Sequence, residues 1–86
     1  RKNTIEGIVS SSIPYQSIAY IKINNVDYKL QSARNYRYDP YDLNYFLKEG
    51  DYIFKNSNSD TLTIKRSGEE YMFVIGGYLN KELRKD

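Results

Sequence analysis

Apolar and polar residues alternate along two stretches of the chain, and the alternation sets how each folds back on itself. In residues 61–74, TLTIKRSGEEYMFV, the alternation is interrupted by Ser67-Gly68. Glycine takes a left-handed turn position without steric cost, so a two-residue hairpin turn is predicted there. This register sets Arg66 opposite Glu69, Lys65 opposite Glu70, Ile64 opposite Tyr71 and Leu62 opposite Phe73. Both charge pairs are of opposite sign, and the four apolar residues meet on one face. A slip of one residue would mix the two faces.

Residues 18–31, IAYIKINNVDYKLQ, pass the same test. Asn24-Asn25 suits a turn with positive φ, which Asn tolerates better than most residues. Ile23 then faces Val26, Ile21 faces Tyr28 and Ala19 faces Leu30, while Lys22 meets Asp27 on the other side and Tyr20 meets Lys29. Two hairpins with consistent faces make a β-rich chain.

The remaining elements follow from local signals. Thr4 to Ser12 reads as a first strand, with Gly7 marking a bulge or sharp bend. Ser10-Ser11-Ser12 and Pro14 are expected to break that run. Asp39-Pro40-Tyr41-Asp42 resembles a helix start, Asp39 capping and Pro40 in the first helical position. Leu43, Phe46 and Leu47 recur at helical spacing and Gly50 follows as a C-cap, so a short helix over about 40–48 is predicted. Such a helix is too short to stand alone and must dock its apolar stripe on the sheet. Asp51 to Lys55 forms another strand, with Ile53 on the face opposite Tyr52 and Phe54. Gly76-Gly77 stops the last strand, leaving a tail that either forms a short helix through Leu79 and Leu83 or frays.

The order β-β-β-α-β-β-β predicts a mainly β fold, a small six-stranded OB-like or SH3-like barrel with one short helix. The length of 86 residues fits a single domain over 1–86, with 1–3 and 78–86 as ends able to fray. With 13 basic and 11 acidic residues dispersed along the chain, the net charge of +2 argues against a dedicated duplex-DNA binder. No apolar run approaches the roughly 20 residues of a membrane span. The chain opens Arg1-Lys2-Asn3-Thr4 without methionine, and a cleaved secretory or lipoprotein leader is one candidate for what precedes it.

The stretch GDYIFKNSNSDTLTIKRSGEEYMFVI resembles small secreted proteins and lipoproteins of Bacteroidetes-type bacteria. The shared pattern is an apolar helix end (Phe46-Leu47) before Gly50-Asp51, a strand ending in Lys55 and a Ser-containing loop from Ser57 to Asp60. The strand Leu62 to Arg66 and the Gly68 hairpin complete it. The resemblance implies an extracytoplasmic location, in the periplasm or cell envelope, and an upstream lipid anchor is compatible with it. It assigns no activity and no catalytic residue.

Candidate chemistry is sparse. His and Cys are both absent, which removes the commonest general base and two common metal or nucleophile systems, so no enzyme, cofactor or metal is expected. Glu69-Glu70 belongs to the hairpin charge ladder. Asp39, Asp42 and Asn44 invite a reading as calcium ligands, but the loop spacing of an EF-hand is missing and helix capping accounts for both aspartates. The polar loop Asn56 to Asp60 reads as side chains bonding their own turn.

The segment Arg34-Asn35-Tyr36-Arg37-Tyr38-Asp39-Pro40-Tyr41 is different, because it is more aromatic and basic than a plain connection requires. Arg34, Tyr36, Arg37 and Tyr38, with Tyr41, are the candidate ligand-binding residues, against the simpler reading that the tyrosines cover the end of the fold. The chain is therefore expected to be a non-catalytic binding or accessory module contacting protein or glycan. The alternative is a single-stranded nucleic-acid module using an OB-type face, which would need basic residues along one groove.

Overall fold

In the computed structural model, which describes residues 4–83, the chain changes sheets at its first polar break. Strand β1 (Ile5–Ile8) pairs with β6 (Tyr52–Lys55), and β2 (Ser11–Tyr15) pairs with β3 (Ile18–Ile23). Between them Val9 is wholly buried, its N–H donating to Asp51 O and its carbonyl accepting from Gly50 N, each at 2.8 Å. The run does break at Val9-Ser10, but Ser11, Ser12 and Pro14, also expected to end pairing, form a strand at the edge of its sheet instead. Proline is tolerated there because an edge strand needs no donor on its outer side. Gly7 marks a close approach: a Cβ at this position would lie 2.5 Å from Ile23 Cγ2.

Both hairpins adopt the predicted registers. Strands β3 (Ile18–Ile23) and β4 (Val26–Leu30) pair with Ile21 opposite Tyr28 and Lys22 opposite Asp27. Strand β6 (Tyr52–Lys55) leads to β7 (Thr61–Arg66) and β8 (Glu69–Val74), with Ile64 opposite Tyr71 and Leu62 opposite Phe73. The turn residues Asn24, Asn25, Ser67 and Gly68 all have positive φ, as the two-residue turns demand. Two of the three cross-strand charge pairs close, Lys22–Asp27 and Lys65–Glu70, each at 3.7 Å. The third does not, because Arg66 turns away from Glu69 to Asp51. In β6, Ile53 is buried and Phe54 is on the exposed side, as the alternation required.

The architecture is mainly β, but it is not the six-stranded barrel the element order suggested. Nine strands are present among the described residues, in sheets of four (β1-β6-β7-β8), three (β2-β3-β4) and two (β5-β9), and the sheets do not close. Strand β5 (Arg34–Asn35) pairs in parallel with β9 (Tyr78–Leu79), two short elements with no alternation to announce them. The reason the four-stranded sheet stops at β8 is visible at Met72. Its N–H donates to the Tyr38 hydroxyl at 3.0 Å and its carbonyl accepts from Asn35 Nδ2 at 2.8 Å, so side chains take the edge where another strand would pair.

The helix is shorter than expected. Strand-like backbone at Tyr41 and Asp42 precedes it, Asn35 N donating to Tyr41 O and Asp42 forming a bridge with Arg34. Helix α1 is therefore only Leu43–Phe46, with Asp42 at its N-cap making no side-chain cap bond, and the Asp39-Pro40 peptide is cis within the preceding turn. Leu47 is extended and ends the helix, and Gly50 lies beyond it at φ 99°. The stripe docks nevertheless: Leu43, Phe46 and Leu47 are buried in one cluster with Ile21, Ile23, Ile53, Leu62, Ile64 and Phe73. The tail forms β9 and a 3-10 turn, Lys81–Leu83, while residues 1–3 and 84–86, parts of the two ends expected to fray, lie outside the described residues. The Cα radius of gyration is 12.1 Å, against about 12 Å for a compact chain of this length. No helix among the described residues is long and apolar enough to cross a membrane.

Candidate functional site

The segment between β4 and α1 is irregular because its hydrogen bonds run to distant parts of the chain. Arg34 N donates to Gly77 O and Tyr36 N to Leu79 O, each at 3.0 Å, which anchors the segment on the tail. Asn35, 2% exposed, is the hub. Its amide nitrogen donates to Met72 O, and its Oδ1 accepts from Asn80 Nδ2 at 2.7 Å and from Arg37 N at 3.1 Å. A buried amide satisfied on both ends fixes its surroundings, because losing a partner leaves a desolvated polar atom.

The tyrosines divide into two sets. Tyr38 closes the core: its ring lies 5.4 Å from that of Phe46, nearly parallel, and meets Tyr71 edge-on at 5.1 Å. Tyr36 is 7% exposed and lies 4.5 Å, centroid to centroid, from Tyr41, which is 39% exposed. Arg34 braces this pair. Its NH1 donates to the Tyr36 hydroxyl at 3.3 Å and its Nε to Asp42 Oδ1 at 2.6 Å, with Tyr41 and Tyr78 each offering a ring within 6 Å of the guanidinium. The hydrogen bond to Tyr36 and then that to Asp42 raise the Arg34 pKa above its ordinary value, so the guanidinium is held charged.

Above this frame lies an open cleft of about 410 Å³, lined by Tyr36, Arg37, Tyr38, Asp39, Tyr41 and Leu83. Four of the five residues singled out in the sequence thus meet at one surface. The fifth, Arg34, sits beneath them as a brace. Arg37 makes one long contact by its side chain, NH2 to Asn80 Oδ1 at 3.4 Å. Asp39 and Leu83 were not anticipated as members. Asp39 is an exposed residue with no capping role, and nothing local to Leu83 signals that the tail folds back beside the segment.

The suspected cation sites resolve into structure. Asp42 is held by Arg34, and Asn44 is buried with its side-chain amide donating to Gln16 O at 2.7 Å. In the 56–60 loop Asn56 Oδ1 accepts from Asn58 N and Ser59 Oγ from Thr61 N, each at 3.0 Å, which is the turn bonding expected of it. Among the described residues no group of three or more His, Cys, Asp or Glu side chains is placed to hold a metal ion.

A second charged centre lies against the Phe46 ring. Asp51 accepts from Arg66 Nε and NH2, both at 2.7 Å, and from Lys48 N at 2.9 Å, while Arg66 NH2 also donates to Phe46 O. The guanidinium sits 4.4 Å over the Phe46 ring, and its pKa is raised chiefly by the bond to Asp51. This cluster pins the end of α1 to the four-stranded sheet. No protein-family model, curated protein or solved structure matches the chain.

Proposed function

We propose that this chain is a non-catalytic binding or accessory module, acting outside the cytoplasm, which contacts a protein or glycan through the cleft over Tyr36, Arg37, Tyr38, Asp39 and Tyr41. One observation carries the reading: the aromatic-basic residues concentrated in one short connection are gathered at one concave surface of about 410 Å³. That size falls within the roughly 300–1,000 Å³ typical of small-ligand sites. Tyrosine and arginine suit such a role because each offers a large contact area with a polar end. The lack of His and Cys in the sequence and the exposed, hairpin-bound position of Glu69 and Glu70 favour binding over catalysis. The extracytoplasmic placement rests on the resemblance of the C-terminal half.

The test uses the exposed members of the cleft, since Tyr36 and Tyr38 also hold the fold together. The immobilised chain and its Arg37→Ala/Tyr41→Ala variant are exposed to the native envelope fraction. The wild-type chain is expected to retain a partner that the variant loses, with denaturation midpoints nearly equal. Equal retention by both proteins would remove the cleft from the function.

A further inference from the structure

The charges around the cleft narrow the ligand class. Arg34 and Asp42 are consumed by each other at 2.6 Å, and the far end of Arg34 is occupied by the Tyr36 hydroxyl. Among the described residues, the charged side chains that remain at the cleft are one cation and one anion, Arg37 and Asp39. Arg37 uses a single NH2 on Asn80, and Asp39 is exposed with no hydrogen bond or ion pair among the described residues. Guanidinium donors and carboxylate acceptors lining one cleft suit groups that both donate and accept, which is the property of hydroxyls. A polyanion would meet Asp39 as a like charge, and an apolar peptide would desolvate both charges without pairing them. At the same cleft the part-exposed Tyr41 ring, packed at a tilt against Tyr36, offers an apolar platform with a wet edge.

Resting on the binding-module reading above, we infer that the cleft takes the uncharged sugar rings of a neutral glycan. Tyr41 packs against the C–H face of a ring, while Asp39 accepts from its hydroxyls and Arg37 donates to them. Binding of this kind depends little on salt, because no counterions are released.

The experiment is backbone-amide shift mapping of the isotope-labelled chain. The probes are a panel of neutral gluco-, manno- and galacto-configured oligosaccharides in both anomeric linkages, a sulfated oligosaccharide, a single-stranded oligonucleotide and a mixed-sequence peptide pool. A neutral oligosaccharide is expected to move the amides of residues 36–41 with an affinity unchanged by added salt. Tyr41→Ala and Asp39→Asn should each weaken it at least roughly tenfold, about 1.4 kcal/mol, with the rest of the spectrum superimposable on wild type. If the sulfated, nucleotide or peptide probe fills the cleft and no neutral sugar does, the glycan inference falls and the binding-module reading stands. If no probe moves these amides, the inference falls as well. If envelope capture also survives Arg37→Ala/Tyr41→Ala, the cleft is removed from the function and the inference falls with it.

Discussion

The β7–β8 hairpin and the segment from Arg34 to Leu47 are similar in length and opposite in what holds them. The hairpin closes on itself: its turn sits at Ser67-Gly68, its apolar pairs are cross-strand neighbours and its Lys65–Glu70 pair lies within it. The segment has its own Arg34–Asp42 and Asn35–Tyr41 links but is tied down from outside, by Met72, Gly77, Leu79 and Asn80, and it supplies in return the Asn35 and Tyr38 groups that occupy the β8 edge. A self-closing element uses its residues on its own register. One held by remote partners can leave several of its side chains for other work, and the candidate cleft lies on the latter.

Breaking the joint between the two regions should have the largest effect. Phe46 packs against Tyr38 of the segment and against Tyr71 and Phe73 of the hairpin, so Phe46→Ala should cost about 3–5 kcal/mol by chemical denaturation. A loss within the ±0.5 kcal/mol or so of a surface change would mean that the two regions are not coupled through this ring. Next comes Asp51→Ala, which strands an Arg66 side chain only 27% exposed. Its cost should be about 1.5–3 kcal/mol, reduced by whatever water reaches the guanidinium.

Gly68→Ala probes the hairpin alone. It places a Cβ at φ 80° with open space around it, so the loss is backbone strain of about 1–2 kcal/mol, with the amides of the 34–47 segment unshifted in the folded state. The smallest change is Glu70→Ala. Both side chains of the Lys65–Glu70 pair are more than half exposed, and the expected shift is within about 0.5 kcal/mol and insensitive to salt beyond that. A larger loss would give the exposed ladder a weight that its geometry does not support.

The same division explains what was legible in the sequence. Both hairpin registers could be read because a period of two and a two-residue turn are local properties, carried by Asn24-Asn25 and Ser67-Gly68. Strand β2 was missed because Pro14 is a breaker everywhere except an edge, and Gln16, at φ 55° in the β2–β3 turn, is not a residue that announces one. The helix start was misplaced because Asp39 and Asp42 both look like caps, and only the bridge between Arg34 and Asp42 decides the matter. At the cleft, residue type identified Tyr36, Arg37, Tyr38 and Tyr41. The brace role of Arg34 and the arrival of Asp39 and Leu83 depend on a tail whose pairing has no local signature.

The central claim is that distant contacts, gathered on Asn35, shape the segment that carries the cleft, whereas the hairpin shapes itself. Native-state hydrogen exchange on Asn35→Ala tests this directly, because exchange resolves local opening residue by residue. The amides of Arg34, Tyr36, Tyr38 and Leu43, bonded to the carbonyls of Gly77, Leu79, Asn35 and Ala33, should lose protection. Met72, whose N–H bonds the Tyr38 hydroxyl, should follow them, while the paired amides of β7 keep theirs. Retained protection at the four segment amides, or an equal loss across β7, would contradict the claim.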